Sequence, residues 1–326
     1  MKLIKKKKDM SFLEDKKIAL LNAEIILTQK CNLSCPHCMR GCSTNKEISP
    51  EALDGFFSKI CHIDQLSLGG GEITLSTNSI RLLTQKLKEH NIGVMRADFA
   101  SNGLFVNDEV LDALDELKKY IEECRKKTSG FFIPTDNKPD MPLYTTFSFD
   151  DFHIKEILKQ KHDYNDIFQN ILRYKARFGF DAIECRDACD VDIYNTGRAK
   201  NLKTFIKKTK PLKPSDYAYP YYERKDMCLF GGILTLSTDG LIIPPNIAFE
   251  DEEILKFGDI KTDKLSQIFA NMKTYPTKDL TQEYNKMIKK LSAPNHRWKK
   301  YYKTWGKEKN NLFYGIVEHN NYEPQK

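Results

Sequence analysis

Apolar positions along the first two thirds of the chain follow two alternating patterns. Short apolar runs, which are typical of buried strands, occur at five places: residues 23–28, 65–68, 94–100, 144–149 and 182–185. Between them, apolar residues recur at helical spacing, as Leu53, Phe56 and Ile60 do behind the N-cap residue Ser49. Strands that alternate with helices of this length predict an α/β fold with a parallel sheet and right-handed crossovers.

Polar motifs follow the predicted strands at the points where they end. Three cysteines follow the first strand and three glycines the second, Ser101-Asn102-Gly103 follows the third, and Ser148-Phe-Asp150 lies at the fourth. Parallel sheets bind ligands at the carboxyl ends of their strands. The sequence therefore predicts one ligand-binding face that gathers these motifs.

The last third of the chain has a different pattern. Two apolar segments flank Asp239-Gly240, which predicts a β-hairpin, and the tail from Tyr284 is basic, aromatic and helical in pattern. We expect three regions, a basic N-terminal extension, an α/β domain and a C-terminal hairpin with a helical tail: residues 1–22, 23–200 and 201–326.

Composition and charge narrow the class of protein. The chain has 326 residues, of which 40% are hydrophobic and 30% charged; this is typical of a globular protein, and the lack of a long apolar run predicts no membrane span. The net charge of +7 is spread along the chain, which argues against a nucleic-acid partner. The Lys-rich N-terminus precedes no apolar region, which argues against a secretory signal. Nine cysteines in such a chain indicate metal binding or catalysis in a reducing cytoplasm.

Three of the cysteines, Cys31, Cys35 and Cys38, lie within eight residues just after the first strand. A cubane iron–sulfur cluster has four irons and is usually held by four thiolates. Three thiolates therefore leave one iron free for another ligand, much as a catalytic zinc keeps an open position. The alternative is a structural zinc with His37 or Cys42 as the fourth ligand. The spacing favours the cluster.

This stretch resembles the signature of the radical S-adenosylmethionine (SAM) enzymes, C-x3-C-x-(aromatic)-C, with His37 in the aromatic slot. The resemblance covers roughly residues 23–200 and implies a partial (β/α)6 TIM-like barrel. It also implies a 4Fe–4S cluster on the three cysteines, with SAM chelated to the open iron. One electron then cleaves SAM to methionine and a 5′-deoxyadenosyl radical, and this implies an electron donor such as a flavodoxin or ferredoxin.

Later motifs resemble the SAM-binding segments of the same family. Gly70-Gly71-Glu72 is similar to the G-G-E motif that receives the SAM ammonium group, although Ile73 stands where the family usually has Pro. The resemblance implies cofactor contacts for the aromatic-slot residue, two further turns and a late G-R-A segment: His37, Ser101, Asn102, Ser148, Asp150 and Arg198. The arginine is suited to a fork-like contact with a carboxylate of SAM or substrate. Taken alone, the Gly-rich and Ser-Asn-Gly segments are ordinary turn sequences.

His153 follows Asp150 by three residues, in a segment that resembles peptide-modifying members of the family, including peptide epimerases. A histidine there can move protons near neutral pH. The alternative is a hydrogen bond within its own loop.

Cys189 and Cys228 are the candidates for a thiol that donates a hydrogen atom. Together with Cys185 they could also hold part of an auxiliary cluster, for which no fourth ligand is evident. The hairpin resembles the start of the SPASM or twitch extension of peptide-modifying relatives. Pro244 and Pro245 stand where that extension has a cysteine.

These observations predict a cytoplasmic radical SAM enzyme that abstracts hydrogen from a peptide, which it epimerises or cross-links as a ribosomal peptide matures. A small metabolite is the alternative substrate, because residues 1–22 are too few for a peptide-binding domain. A peptide substrate would then call for a separate leader-peptide-binding protein. Two other classes remain open: a SAM-dependent enzyme acting on RNA, and a zinc-binding module without catalytic activity.

Overall fold

A computed structural model describes residues 10–127, 141–179, 183–186, 193, 196–202, 219–223, 227–272 and 274–276. Cys189 and the predicted helical tail lie outside the described residues.

A sheet of ten strands forms the centre of the fold. In chain order the strands are β1 Lys17–Thr28, β2 Ile60–Gly70, β3 Gly93–Ser101, β4 Leu143–Ser148, β5 Ile183–Arg186, β6 Tyr219–Glu223, β7 Met227–Leu236, β8 Leu241–Ile243, β9 Gly258–Asp259 and β10 Thr274–Pro276. Their order across the sheet is β10-β6-β7-β1-β2-β3-β4-β5, and β8 and β9 pair beyond β7. The neighbours from β1 to β5 are all parallel, so the predicted partial barrel is confirmed.

Helices connect the parallel strands and continue into the last third of the described chain. They are α1 Pro50–Phe57, α2 Thr77–Glu89, α3 Asp108–Lys127, α4 Asp151–Lys159, α5 Tyr164–Phe178, α6 Glu252–Leu255 and α7 Leu265–Asn271. The side chain of Ser49 accepts a hydrogen bond from the backbone of Ala52 at the start of α1, which confirms the predicted N-cap. Among the described helices, none has the length and apolar character needed to cross a membrane.

Strand β1 is the central strand of the sheet and is longer than predicted. It begins at Lys17 rather than Ala23, because its first residues pair with β7 as well as with β2. Ile18, Leu20 and Ile25 on this strand are fully buried, as expected where a parallel strand is covered on both faces. The region boundary expected between residues 22 and 23 falls inside β1.

The C-terminal hairpin belongs to the same sheet. Strands β7 and β8 are antiparallel, with Thr235 opposite Ile243, and Gly240 in their turn has a φ of +89°. The predicted hairpin is thus confirmed. Because β7 runs parallel to β1, the two strands end at the same edge, and the hairpin lies beside the predicted ligand-binding face.

Candidate active site

The carboxyl ends of β1 to β4 open onto a cavity of about 450 Å³. Nearly all the side chains predicted for the site line it, namely Cys31, Cys35, His37, Cys38, Gly70, Gly71, Glu72, Ser101, Asn102, Ser148, Asp150, His153 and Arg198. The structure therefore brings together the motifs that follow the four strands.

The three thiols lie in the loop after β1, residues 29–42, which we call the cysteine loop. Burial raises the pKa of the Cys31 thiol to about 11, and burial together with the neighbouring thiols raises that of Cys35 to about 12. Only thiolates bind metals, so a metal centre here has to displace these protons.

The donor set fits a cluster better than a zinc ion. Four ligands around one zinc, with Zn–S distances of about 2.3 Å, bring sulfur atoms to within about 4 Å of one another. Among the described residues, the group whose ligand atoms all lie within 4.8 Å is His37, Asp150 and His153, and it includes no thiol. Cys42, considered as a fourth zinc ligand, is exposed and does not line the cavity. A cluster distributes its thiolates over several irons, which suits thiols that are near one another but not gathered around a point.

The glycine turn at the end of β2 packs directly against the cysteine loop. Gly70 has a φ of +138°, and a Cβ on it would lie 2.1 Å from the carbonyl oxygen of Thr28. A Cβ on Gly71 would lie 2.1 Å from the carbonyl oxygen of Lys30. The Gly71 N–H donates to Thr28 O at 2.9 Å, and the Glu72 N–H donates to Lys30 O at 2.7 Å. Two backbones approach closely here, which only glycine permits.

The Glu72 carboxylate joins the end of β2 to the turn after β3. It is 2% exposed and accepts hydrogen bonds from Thr74 Oγ1 at 2.8 Å, Ser101 Oγ at 2.9 Å and the Asn102 N–H at 2.7 Å. Burial raises the pKa of Glu72 above its usual value, although these donors oppose the shift. The Asn102 side chain donates in turn to Asn32 Oδ1 at 2.7 Å, so this turn also holds the cysteine loop.

The start of α4 holds His37. Asp150 is the N-cap of α4 and accepts from the Phe152 and His153 N–H groups at 2.9 and 3.0 Å. Its second oxygen accepts from His153 Nδ1 and lies 3.6 Å from His37 Nε2. The His37 ring stacks on Phe152 with centroids 4.7 Å apart. Burial lowers the pKa of His37 to about 4, so this imidazole is neutral at pH 7. His153 makes the local hydrogen bond that was its alternative role, and it still lines the cavity.

Arg198 contacts the cysteine loop, where the sequence predicted a carboxylate partner. Its Nε donates to Cys35 O at 2.9 Å, and its Nη1 donates to Gly41 O. Two nitrogens of the guanidinium fork are thus engaged by backbone carbonyls. The contact of Arg198 with a carboxylate of SAM or substrate stays a prediction.

Cys228 is not part of the site. It lies on β7 opposite Ile18, near the start of β1, and is 0% exposed. The cysteine loop follows Thr28 at the other end of β1, about 30 Å away at roughly 3.3 Å per residue. That distance rules out Cys228 as a hydrogen-atom donor in this cavity, and its part in an auxiliary cluster stays a prediction. Cys189 is not described, and Cys185 lies on β5, so their roles stay predictions.

Ten residues of the cavity wall were not predicted, among them Gln29, Arg40, Asn246 and Phe249. The first two lie in the cysteine loop. The other two follow β8, and Asn246 has a left-handed φ of +62°. The segment is bound to the cysteine loop, because Arg40 Nη1 donates to Ile247 O at 3.3 Å and the Phe249 N–H donates to Arg40 O at 2.9 Å. The sequence signals for the last two residues were the predicted hairpin and the Pro-Pro-Asn segment after it. These signals do not indicate at which edge of the sheet the hairpin ends.

Comparisons with known proteins agree with the motifs. Residues 25–183 match the family model described as the radical SAM superfamily. No curated protein sequence matches the chain. A structure described as native anSMEcpe with bound AdoMet and Cp18Cys peptide is similar over 83% of each chain, with 15% identity and a TM-score of 0.42.

Streptococcus suis SuiB is similar over 77% of this chain and 66% of its own, with 11% identity and a TM-score of 0.34. The structure of SuiB bound to the precursor peptide SuiA is similar over 86% of this chain and 69% of its own, with 9% identity and a TM-score of 0.36. Residues 25–183, which contain the three thiols and the Gly-Gly-Glu turn, are thus a radical SAM domain, whose cofactors are a 4Fe–4S cluster and SAM.

Proposed function

We propose that this protein cleaves SAM reductively and uses the resulting radical to abstract hydrogen from a peptide. The observation that carries the proposal is the cavity itself, in which three thiols meet the turns after β2 and β3 and the start of α4. A structural metal site needs no such cavity, whereas a cofactor and a substrate that react with each other do.

In this proposal Cys31, Cys35 and Cys38 hold the cluster, and the Gly70-Gly71 backbone with the Glu72 carboxylate receives the SAM ammonium group. When bound, the cluster supplies one electron that splits SAM into methionine and a 5′-deoxyadenosyl radical, which takes a hydrogen atom from an unactivated carbon. The protein positions the two reactants and excludes water. The burial of Cys35 and of the Glu72 carboxylate supports this assignment.

The remaining predicted side chains complete the SAM site. His37 is neutral and stacked, which suits contact with an uncharged ring rather than an anion. Ser148 lies at the end of β4 and lines the cavity, where its hydroxyl can bind the ribose or methionine part of SAM. Asp150 orients both histidines beside it.

The loop after β8 supports a peptide as the substrate. Asn246 and Phe249 are half-buried in the cavity wall and belong to a different segment from the glycine and serine turns assigned to SAM. An Asn side chain offers one donor group and one acceptor and can pair with a peptide amide, and Phe249 offers an apolar surface for a side chain. Epimerisation and cross-linking both remain within the proposal, with a flavodoxin or ferredoxin as electron donor and a separate protein that binds the leader peptide.

The test of SAM cleavage is the formation of 5′-deoxyadenosine from SAM by anaerobic, chemically reduced protein. The triple variant C31A/C35A/C38A should form none, and C42A, which changes an exposed cysteine of the same loop, should match the wild type. Equal activity in the triple variant, or none in a wild type loaded with iron and sulfide, would overturn the proposal.

The peptide substrate has its own test. Peptide pools are incubated with the reduced protein and SAM in D2O, and masses are compared with those from the triple variant. Epimerisation exchanges one hydrogen for deuterium, and cross-linking removes two hydrogens. If SAM is cleaved but metabolite pools change and peptide pools do not, the substrate is a small metabolite.

A further inference from the structure

We propose that Gly197 and Arg198 position the cysteine loop in its cluster-binding conformation, and that the positive charge of Arg198 beside this loop eases reduction of the cluster. The proposal rests on the proposed function, because it concerns how this chain holds the same cluster. It assigns the late G-R-A segment to the loop rather than to SAM.

Gly197 brings a distant segment into contact with the loop. It has a left-handed φ of +55°, and a Cβ on it would lie 2.4 Å from Met39 O, 2.5 Å from Gly41 N and 2.6 Å from Cys38 O. All three atoms belong to the backbone of the cysteine loop, where they cannot rotate away as a side chain can. Only glycine therefore allows the short turn Gly197–Asn201 to touch the chain just after the last thiol.

Arg198 adds three hydrogen bonds to the same loop. Its backbone N–H donates to Cys38 O at 3.0 Å, and its side chain donates to Cys35 O and Gly41 O. Two of these acceptors are the carbonyls of cluster ligands. A planar guanidinium can donate to two carbonyls at once, whereas a lysine ammonium is a compact group on a flexible stem.

The positive charge of Arg198 lies close to the cluster ligands. The guanidinium lies beside the loop that carries the three ligands, since its Nε donates to the carbonyl oxygen of Cys35 at 2.9 Å. Three thiolates give a cluster a negative charge, and a nearby positive charge makes the uptake of a further electron easier. The loop contacts and the charge can be separated by substitution.

The experiment uses R198K, which keeps the charge but not the fork, and R198Q, which loses both. The matched control is K200Q, which removes a positive charge from the same turn, where Lys200 pairs with Glu250 and Asp251. Three quantities are measured on reconstituted protein: the rate of iron loss to a chelator, the midpoint potential of the cluster and the Kd for SAM. Thermal unfolding of the cluster-free proteins reports on folding.

We expect R198Q and R198K to lose iron at least tenfold faster than the wild type and K200Q. R198Q should also have a potential lower by about 59 mV, the equivalent of a tenfold change for one electron, whereas R198K should stay near the wild-type potential. If R198Q does not fold, the proposal is tested by comparing the iron-loss rates of R198K and K200Q.

Wild-type iron-loss rates in both variants, with a weaker affinity for SAM, would overturn the proposal and return Arg198 to the SAM carboxylate. A wild-type protein that assembles no iron and sulfide would overturn the proposed function itself. The two failures are distinguishable, because the first requires a loaded wild type.

Discussion

A buried cysteine lies near each end of β1, and the two cysteines differ in what surrounds the thiol. At the amino end Cys228 is 0% exposed within the regular pairing of β7 with β1. At the carboxyl end Cys35 is nearly as buried, at 5%, but it lies on a loop and lines a cavity. Burial alone therefore does not distinguish a structural thiol from a ligand. What distinguishes them is a loop beyond the strand end, held by contacts from several other elements.

Substitution of Gly71 should have the largest effect on the cysteine loop at the carboxyl end of β1. A Cβ there would lie 2.1 Å from Lys30 O, and the loop would have to move. We expect G71A to retain at least tenfold less iron after reconstitution than the wild type. The control is G179A, which also adds a Cβ, here at a positive φ, but meets nothing within 4 Å. Equal iron content in G71A and G179A would mean that the close approach of the two backbones does not hold the loop.

The stability of the protein should depend on pH because of Glu252, which lies between the hairpin and the cysteine loop. This carboxyl is 3% exposed and accepts from Gln29 Nε2 at 3.4 Å. Burial raises its pKa to about 7, with Arg40 opposing the shift. The folded state thus binds more protons than the unfolded state between about pH 4.5 and 7, so the stability from this group is present at low pH and is lost as pH rises through this window.

We therefore expect E252Q to be more stable than the wild type at pH 8, by on the order of 1–3 kcal/mol, and to lose the pH dependence. Lys46, Asp239 and Glu24 also face this carboxyl and should contribute smaller changes in both proteins. Urea unfolding at pH 5 and pH 8 measures the difference, with the exposed neighbour E253Q as the control. The same pH dependence in E252Q and the wild type would contradict the assignment.

Two helix caps test how strongly α4 supports the cysteine loop. Asp150 and Asp163 cap α4 and α5 in the same way, but only Asp150 also bonds His153 and approaches His37. D163A should cost about 1 kcal/mol of unfolding free energy, and D150A about 1 kcal/mol more. D150A should also weaken SAM binding. Equal losses of stability with an unchanged Kd for SAM would show that Asp150 is only a cap.

The smallest effect is expected at the amino end of β1. Cys228 acts there as a small apolar residue, so C228A should cost about 1 kcal/mol of stability and leave the iron content unchanged. Loss of iron in C228A, measured on protein that is still folded, would mean that this thiol reaches a cluster after all.

The strands, the helix starts and the motifs at strand ends could be predicted because each is a local pattern. The length of β1 could not, since its first residues are stabilised by β7, about two hundred residues later in the chain. The side-chain type of Arg198 indicated a carboxylate, but which acceptors it meets depends on a turn that packs on the loop. Asn246 and Phe249 reach the cavity for a similar reason, because β7 runs parallel to β1 and not the reverse.

The central claim is that the cysteine loop holds an open iron–sulfur cluster, and metal analysis of anaerobically prepared protein tests it most directly. Iron, sulfide and zinc are measured in the wild type, in C42A and in C31A/C35A/C38A. The account predicts about four irons and four sulfides per chain in the first two proteins and neither in the third. Zinc without sulfide in the reconstituted wild type, or iron and sulfide retained in the triple variant, would contradict it.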